Sequence, residues 1–138
     1  MGMGNRILVV DDDADIRRVV RGILDPLAEI SEASNGLDAL RMAASEKPDL
    51  MLLDVDMADI DGLAVLKAAH LLYPDLAIMM LTGKNDLEVA KSALDDGARS
   101  YVTKPFDVVV LREEVRRLVA PAAEAGASSG AMPWSVRK

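Results

Sequence analysis

The sequence predicts an α/β fold, a doubly wound five-stranded parallel sheet with helices on both faces. Three observations lead there. Five short strand-like segments alternate with five segments whose apolar residues recur at helical spacing. The clearest strand segments are unbroken apolar runs, as expected of parallel strands buried on both faces. Four of the runs stop at ionisable or hydroxyl residues. Ile7-Leu8-Val9-Val10 leads into Asp11-Asp12-Asp13, and Leu50-Met51-Leu52-Leu53 into Asp54. Ala77-Ile78-Met79-Met80-Leu81 leads into Thr82, and Ser100-Tyr101-Val102-Thr103 into Lys104-Pro105. Strict alternation of β and α elements implies parallel strands joined by helical crossovers.

The first strand is expected near 6–10, followed by a helix from about 14 to 24 with Ile16, Val19, Val20 and Ile23 on its apolar face. Pro26 breaks the chain before a short strand near 28–33, the weakest of the five patterns. Asn35-Gly36 is a turn signal and opens a helix near 36–46. Pro48 precedes a strand at 49–53. Asp61-Gly62 opens a helix to about Tyr73, with Leu63, Leu66, Ala69 and Leu72 as core positions, and Pro74 ends it. A strand at 76–81 leads to a helix near 85–96, closed by Gly97 as a C-terminal cap. A strand at 99–103 and a helix from about 107 to 119 complete the pattern, the latter with a stripe of Val108, Leu111, Val115 and Leu118. Residues 1–120 thus form one domain, and the Ala-, Gly- and Ser-rich residues 121–138 read as a flexible tail or linker.

Composition narrows the function. With 51% hydrophobic but only 3% aromatic residues, the core must be built from Leu, Val, Ile, Met and Ala. A net charge of −7 argues against direct nucleic-acid binding, which needs a broad Lys/Arg footprint. The absence of cysteine excludes disulfides and thiolate metal sites. No apolar run approaches the roughly 20 residues that span a bilayer, and the N-terminus lacks signal-peptide character. A soluble cytoplasmic protein without membrane contact is expected.

In open α/β sheets, ligands bind beyond the carboxyl ends of the strands. If the four runs are neighbours, Asp11, Asp12, Asp54, Thr82 and Lys104 meet at one sheet edge. Several carboxylates, one hydroxyl and one ammonium are suited to holding a divalent metal and a phosphoryl group.

The four motifs Val9-Val10-Asp11-Asp12, Leu52-Leu53-Asp54, Leu81-Thr82-Gly83 and Lys104-Pro105-Phe106 occur in this order over roughly residues 5–120. In this the chain resembles the receiver domain of two-component response regulators, of the chemotaxis-receiver type. The resemblance implies a flavodoxin-like sheet of strand order 2-1-3-4-5. It implies that Asp54 accepts a phosphoryl group from a phosphohistidine on a sensor histidine kinase or phosphotransfer protein. It implies Mg²⁺ as cofactor, with Mn²⁺ able to substitute, held by Asp12, Asp54 and the backbone carbonyl of Asp56, and by Asp11 through water. Lys104 would pair with the phosphoryl oxygens, aimed by a cis Lys104-Pro105 bond. Thr82 and Tyr101 would be the switch, and the face formed by residues 85–119 the output surface. Val109 and Val110 are its candidate contacts to an effector or a second copy. The activity is then that of a phosphoacceptor switch rather than an enzyme, limited to Mg²⁺-dependent self-phosphorylation and self-dephosphorylation.

Local readings stand beside these. Asp13 is a candidate N-cap of the first helix. Arg17, Arg18 and Arg21 read as a solvated helix face, or alternatively as part of a kinase-docking surface. Met51, Met57, Met79 and Met80 read as core or near-site packing, and His70 as a partly exposed helical residue without a role. Asp56 and Lys84 are expected to flank the entrance to Asp54 as an ion pair that modulates signal lifetime, worth about 0–1 kcal/mol if exposed. Trp134 is unusual for a tail. Two other functions fit parts of the pattern. One is a phosphorylation-independent protein-interaction module. The other is a haloacid-dehalogenase-like phosphatase, which Asp54-Val55-Asp56 resembles, although that family carries its further acidic pair after the lysine.

Overall fold

The computed structural model describes residues 5–57, 61–83 and 86–119. The elements alternate as β1 (Asn5–Val10), α1 (Ala14–Leu24), β2 (Ala28–Ala33), α2 (Gly36–Glu46), β3 (Leu50–Asp54), α3 (Gly62–Leu72), β4 (Ala77–Gly83), α4 (Leu87–Asp95), β5 (Ser100–Lys104) and α5 (Val108–Leu118). All ladders are parallel, and the sheet runs β2-β1-β3-β4-β5. Expected and observed boundaries differ by a residue or two. The differences matter at two places, because Asp54 is the last residue of β3 and Thr82 lies inside β4 rather than after it.

The unbroken apolar runs are explained by burial on both faces. Side chains alternate across a strand. Leu8, Val10, Met51, Leu53, Ile78 and Met80 therefore pack on one face, under Ala39, Ala43, Val65, Leu66, Ala69 and Ala93 of α2, α3 and α4. Ile7, Val9, Leu50, Leu52, Met79 and Leu81 pack on the other, against Val20, Ile23 and Leu24 of α1 and Leu111 and Val115 of α5. The strand core is almost wholly aliphatic, and each fully buried Leu or Ile contributes about 1.5–3 kcal/mol. Met51, Met79 and Met80 are wholly buried core residues, as expected.

The helices begin where their caps are. Asp13 accepts the amides of Asp15 and Ile16 at the start of α1. Asn35, Asp61 and Asp107 cap α2, α3 and α5 in the same way. Gly97, just past α4, has φ +116, a region that disfavours any residue with a Cβ. The ring of His70 packs where that Cβ would be, 2.6 Å from it. Three positions expected in the core are exposed: Val19 at 52%, Leu72 at 59% and Val108 at 43%. Each lies at the edge of its helix's apolar stripe, where the sheet no longer reaches. Among the described residues, no helix is long and apolar enough to cross a membrane.

Candidate functional site

The register of the ladders assembles the site. Val10, the last residue of β1, pairs with Leu53, so Asp11 emerges beside Asp54. Asp54 itself pairs with Leu81, one residue before Thr82. Gly83 pairs with Lys104 across the next ladder. By the alternation of the pleat, Asp54 and Lys104 fall on the α1/α5 face with Leu52 and Val102, whereas Thr82 takes the parity of Ile78 and Met80 on the opposite face. The Lys104-Pro105 bond is cis, as expected.

The geometry at this edge is compact. Lys104 Nζ donates to Asp54 Oδ1 at 2.8 Å and to Asp11 Oδ2 at 3.3 Å. Asp54 is 4% exposed and Asp11 1%, while the Asp12 carboxylate faces solvent. One oxygen from each of Asp11, Asp12 and Asp54 lies within 4.8 Å of the others. A cleft of about 560 Å³ opens beside them, lined by Asp12, Val55, Asp56, Met57, Asp61, Leu63 and Val89.

Burial pushes the Asp54 carboxyl above its ordinary pKa, and the charge of Asp11 pushes the same way. The hydrogen bond from Lys104 and the backbone amide of Asp56 oppose this without cancelling it. For Lys104 the balance is reversed. Burial alone would lower its pKa, but the hydrogen bond and charge of Asp54, joined by Asp11, hold the ammonium above its usual range. Three carboxylates thus gather here, two of them in contact with the Lys104 ammonium. A cluster of three carboxylate oxygens within 4.8 Å of one another fits a hard divalent cation such as Mg²⁺.

Two features of the surroundings maintain this arrangement. The turn after β3 is closed by the Val55 amide on the Leu81 carbonyl at 3.1 Å and the Gly62 amide on the Val55 carbonyl at 3.0 Å. A Cβ on Gly62 would fall 2.3 Å from the Asp54 carbonyl oxygen and 2.7 Å from Val55 Cα, so only glycine lets α3 start this close to Asp54. In sequence, Asp61-Gly62 signals a helix start and nothing more. The second feature is Arg17, read from sequence as part of a solvated face. Its side chain is only 16% exposed and is paired with Glu32 on β2. Arg21, exposed as expected, joins the same glutamate, and Arg18, paired with exposed Asp15, also matches the solvated reading.

Other expected residues fall around the site. The Thr82 side-chain oxygen is buried and has no hydrogen-bond partner among the described residues. Tyr101 on β5 is half-buried and lines a cleft with Leu87, Phe106 and Val110. Val109 and Val110 are 66% and 53% exposed on α5. Asp56 is exposed at the mouth of the site, but Lys84 lies outside the described residues, and with it the expected ion pair. Residues 121–138, including Trp134, lie outside them as well. His70 is exposed at the end of α3, away from the carboxylates. The first acid after Lys104 is Asp107, whose carboxylate is occupied in capping α5 by the amides of Val109 and Val110. Among the described residues, no strand follows β5 to carry at its end the acidic pair that the phosphatase alternative requires.

Comparison with known proteins agrees with this arrangement. Residues 7–116 match the family model of the response regulator receiver domain. The chain is 30% identical to sporulation initiation phosphotransferase F of Bacillus subtilis (strain 168) over 116 residues, covering 83% of this chain and 94% of that protein. It is 39% identical to the response regulator MprA of Mycobacterium ulcerans (strain Agy99), covering 85% of this chain but only 51% of that protein. The chain thus spans about half of that longer relative. Among solved structures, the receiver domain of NtrX from Brucella abortus superposes with a TM-score of 0.79 at 35% identity, covering 84% of this chain and 99% of that one. A CheY-like receiver domain protein from Methanospirillum hungatei JF-1 gives 0.80 at 31% identity, covering 85% and 94%. A buried aspartate between two acidic neighbours and a lysine, on a sheet of order β2-β1-β3-β4-β5, places this chain in the receiver-domain family of response regulators.

Proposed function

We propose that this chain is a phosphoryl-accepting signalling switch, with Asp54 as the acceptor and a phosphohistidine of a sensor kinase or phosphotransfer protein as the donor. The observation that carries this reading is the grouping of Asp54, Lys104, Asp11 and Asp12 in one small pocket. Asp54 Oδ attacks the phosphorus, an O–P bond forms, and the N–P bond to the donor imidazole breaks. The carboxylate and the incoming phosphoryl oxygens repel each other, so the attack requires positive charge at the edge of the sheet. Lys104 supplies one such charge and moves from the carboxylate to a phosphoryl oxygen. Asp12 and Asp54, with the Asp56 carbonyl and Asp11 through water, are the groups to hold Mg²⁺ or Mn²⁺, which when bound supplies the remaining charge. Mg²⁺-dependent self-phosphorylation and self-dephosphorylation are the only turnover expected. An ion pair of Asp56 and Lys84 at the entrance would tune the rate of the latter.

Phosphorylation replaces a carboxylate with a larger acceptor carrying about −1.5 to −2 charge. The Thr82 hydroxyl, buried without a partner among the described residues, is the donor available to that acceptor. Movement of Thr82 draws the end of β4 inward, and Tyr101 follows. The readout is the α4–β5–α5 face, where Leu87, Val109 and Val110 expose apolar surface to an effector or a second copy. The proposed setting is the cytoplasm, where such kinases transfer their phosphoryl groups.

Incubation with acetyl phosphate tests the reading directly. One label per chain is expected, dependent on Mg²⁺ and absent in Asp54→Ala. Labelling that survives Asp54→Ala or ignores chelation overturns it.

A further inference from the structure

Arg17 reaches a backbone atom that lies between two of the clustered carboxylates. Its Nη1 donates to the carbonyl of Asp11 at 2.6 Å, and its Nε donates to Glu32 Oε1 at 2.9 Å. The other Glu32 oxygen accepts from Arg21 Nη1 at 2.6 Å, while Arg21 Nη2 reaches the Ile30 carbonyl at 3.3 Å. The pKa of Glu32 is lowered from its ordinary value, chiefly through the hydrogen bond from Arg21. Burial opposes that shift, and Arg17 adds to it. The three side chains therefore form a brace from β2 across α1 to the loop that follows β1.

The position of the braced atom gives the brace its consequence. A peptide unit is planar, so holding the Asp11 carbonyl oxygen holds the plane that also contains the Asp12 nitrogen and Cα. The directions in which the Asp11 and Asp12 side chains leave the backbone are then set together. The rest of Asp11 is tied as well. Its amide donates to the Ala33 carbonyl at 3.1 Å, and its Oδ1 accepts the Asp13 amide at 2.9 Å. Asp12 is the most exposed of the three clustered acids, and its side chain leaves the backbone next to that held peptide plane. A guanidinium has donors at fixed angles and can hold a carbonyl and a carboxylate at once, which an ammonium cannot do with the same geometry.

We propose that Arg17, braced by Glu32, is a positioning residue for the cation site: it fixes the Asp11–Asp12 peptide so that the Asp12 carboxylate meets those of Asp11 and Asp54. This rests on the reading of the acidic cluster as a divalent-cation site. Arg17 touches neither the ion nor the phosphoryl group and acts through the backbone alone.

Mg²⁺ titration of the full chain by calorimetry and by backbone amide shifts tests this, using wild type, Arg17→Ala, Arg17→Lys and Arg18→Ala. Arg17→Ala is expected to bind Mg²⁺ about 10-fold more weakly or worse, the usual effect of losing a group that orients a metal ligand. Arg17→Lys keeps the charge without the fork and is expected to recover only a minor part. Arg18→Ala, whose ion pair lies on the open surface, is expected to match wild type. Acetyl phosphate labelling of Arg17→Ala falls at low Mg²⁺ and returns at saturating Mg²⁺, which a general folding defect would not do. Should Arg17→Ala not fold, Arg17→Lys and Glu32→Gln carry the same comparison. The inference is overturned if Arg17→Ala binds within about twofold of wild type, below the range expected for an orienting group. Full recovery in Arg17→Lys also overturns it, since charge alone would then suffice, as does a labelling defect that excess Mg²⁺ leaves in place. Failure of the wild type itself to bind Mg²⁺ refutes the cation site, and the role of Arg17 falls with it.

Discussion

Asp11 directly follows β1 and Thr82 is the penultimate residue of β4, on the two strands that flank β3, and their surroundings are opposite. On the β1 side, each polar group of Asp11 has a partner. Its amide meets Ala33, its carbonyl Arg17, and its carboxylate oxygens the Asp13 amide and Lys104. On the β4 side, the Thr82 hydroxyl is buried with no partner among the described residues. A buried donor without an acceptor costs roughly 1–3 kcal/mol. One flank is thus built before any ligand arrives, and the other holds an unused donor that a new acceptor would satisfy. Under the proposed function, the difference teaches how a single site can be both pre-organised and switchable: rigidity lies where the cation would bind, and the unsatisfied group where the signal would leave.

The largest effect should come from breaking the built flank at its ammonium. Lys104→Met leaves two buried carboxylates facing each other, and Asp11 and Asp54 are 1% and 5% exposed in their side chains. Without divalent cation at pH 7, urea unfolding is expected to show a loss of about 3 kcal/mol, the low end for breaking a buried pair, because Lys104 keeps some contact with water. Mg²⁺ should restore part of it by binding only the folded state. A loss below about 1 kcal/mol, the level of a surface pair, would mean that the flank is not organised by this charge.

A smaller effect of opposite sign is expected at the acceptor. The folded pKa of Asp54 is raised by burial and by Asp11, so its contribution is full below the ordinary carboxylate pKa and is lost as pH rises through the folded value. At neutral pH without cation, the ionised group therefore costs stability. Asp54→Asn is expected to be more stable than wild type at pH 7, with the gain vanishing as pH falls through the ordinary carboxylate range. Stability curves of the two proteins from pH 3 to 8 decide the matter, and a gain that does not depend on pH would contradict the assignment.

The smallest stability effect belongs to the unbuilt flank. Thr82→Val keeps the shape and removes the unpaired hydroxyl, so stability should stay level or rise by up to about 1 kcal/mol. The consequence should appear in the response instead. After phosphorylation, amide shifts at Tyr101 and along α4 should be much smaller than in wild type. A full-sized response in the variant would show that the hydroxyl is not the link.

Much of this was legible in the chain. Unbroken runs gave the strands because both faces of a parallel sheet are covered. The capping aspartates gave helix starts, because a carboxylate two or three residues ahead of free amides needs no tertiary information. Val19, Leu72 and Val108 were misplaced because an apolar stripe has a width that local periodicity cannot measure. Arg17 was misread for a related reason. An arginine on a helix looks solvated until a glutamate on the neighbouring strand and a carbonyl on the preceding loop are brought beneath it.

The sequence by itself determined the elements, their caps, and which side chains stand at the strand ends, since these follow from backbone propensity and from solvent exclusion along each segment. Only the tertiary structure decided that Gly62 must lack a Cβ, that Arg17 holds the Asp11 carbonyl, and that Thr82 has no hydrogen-bond partner among the described residues. Those facts depend on the distances between elements, which the ladder register and helix packing set together and which no single segment encodes.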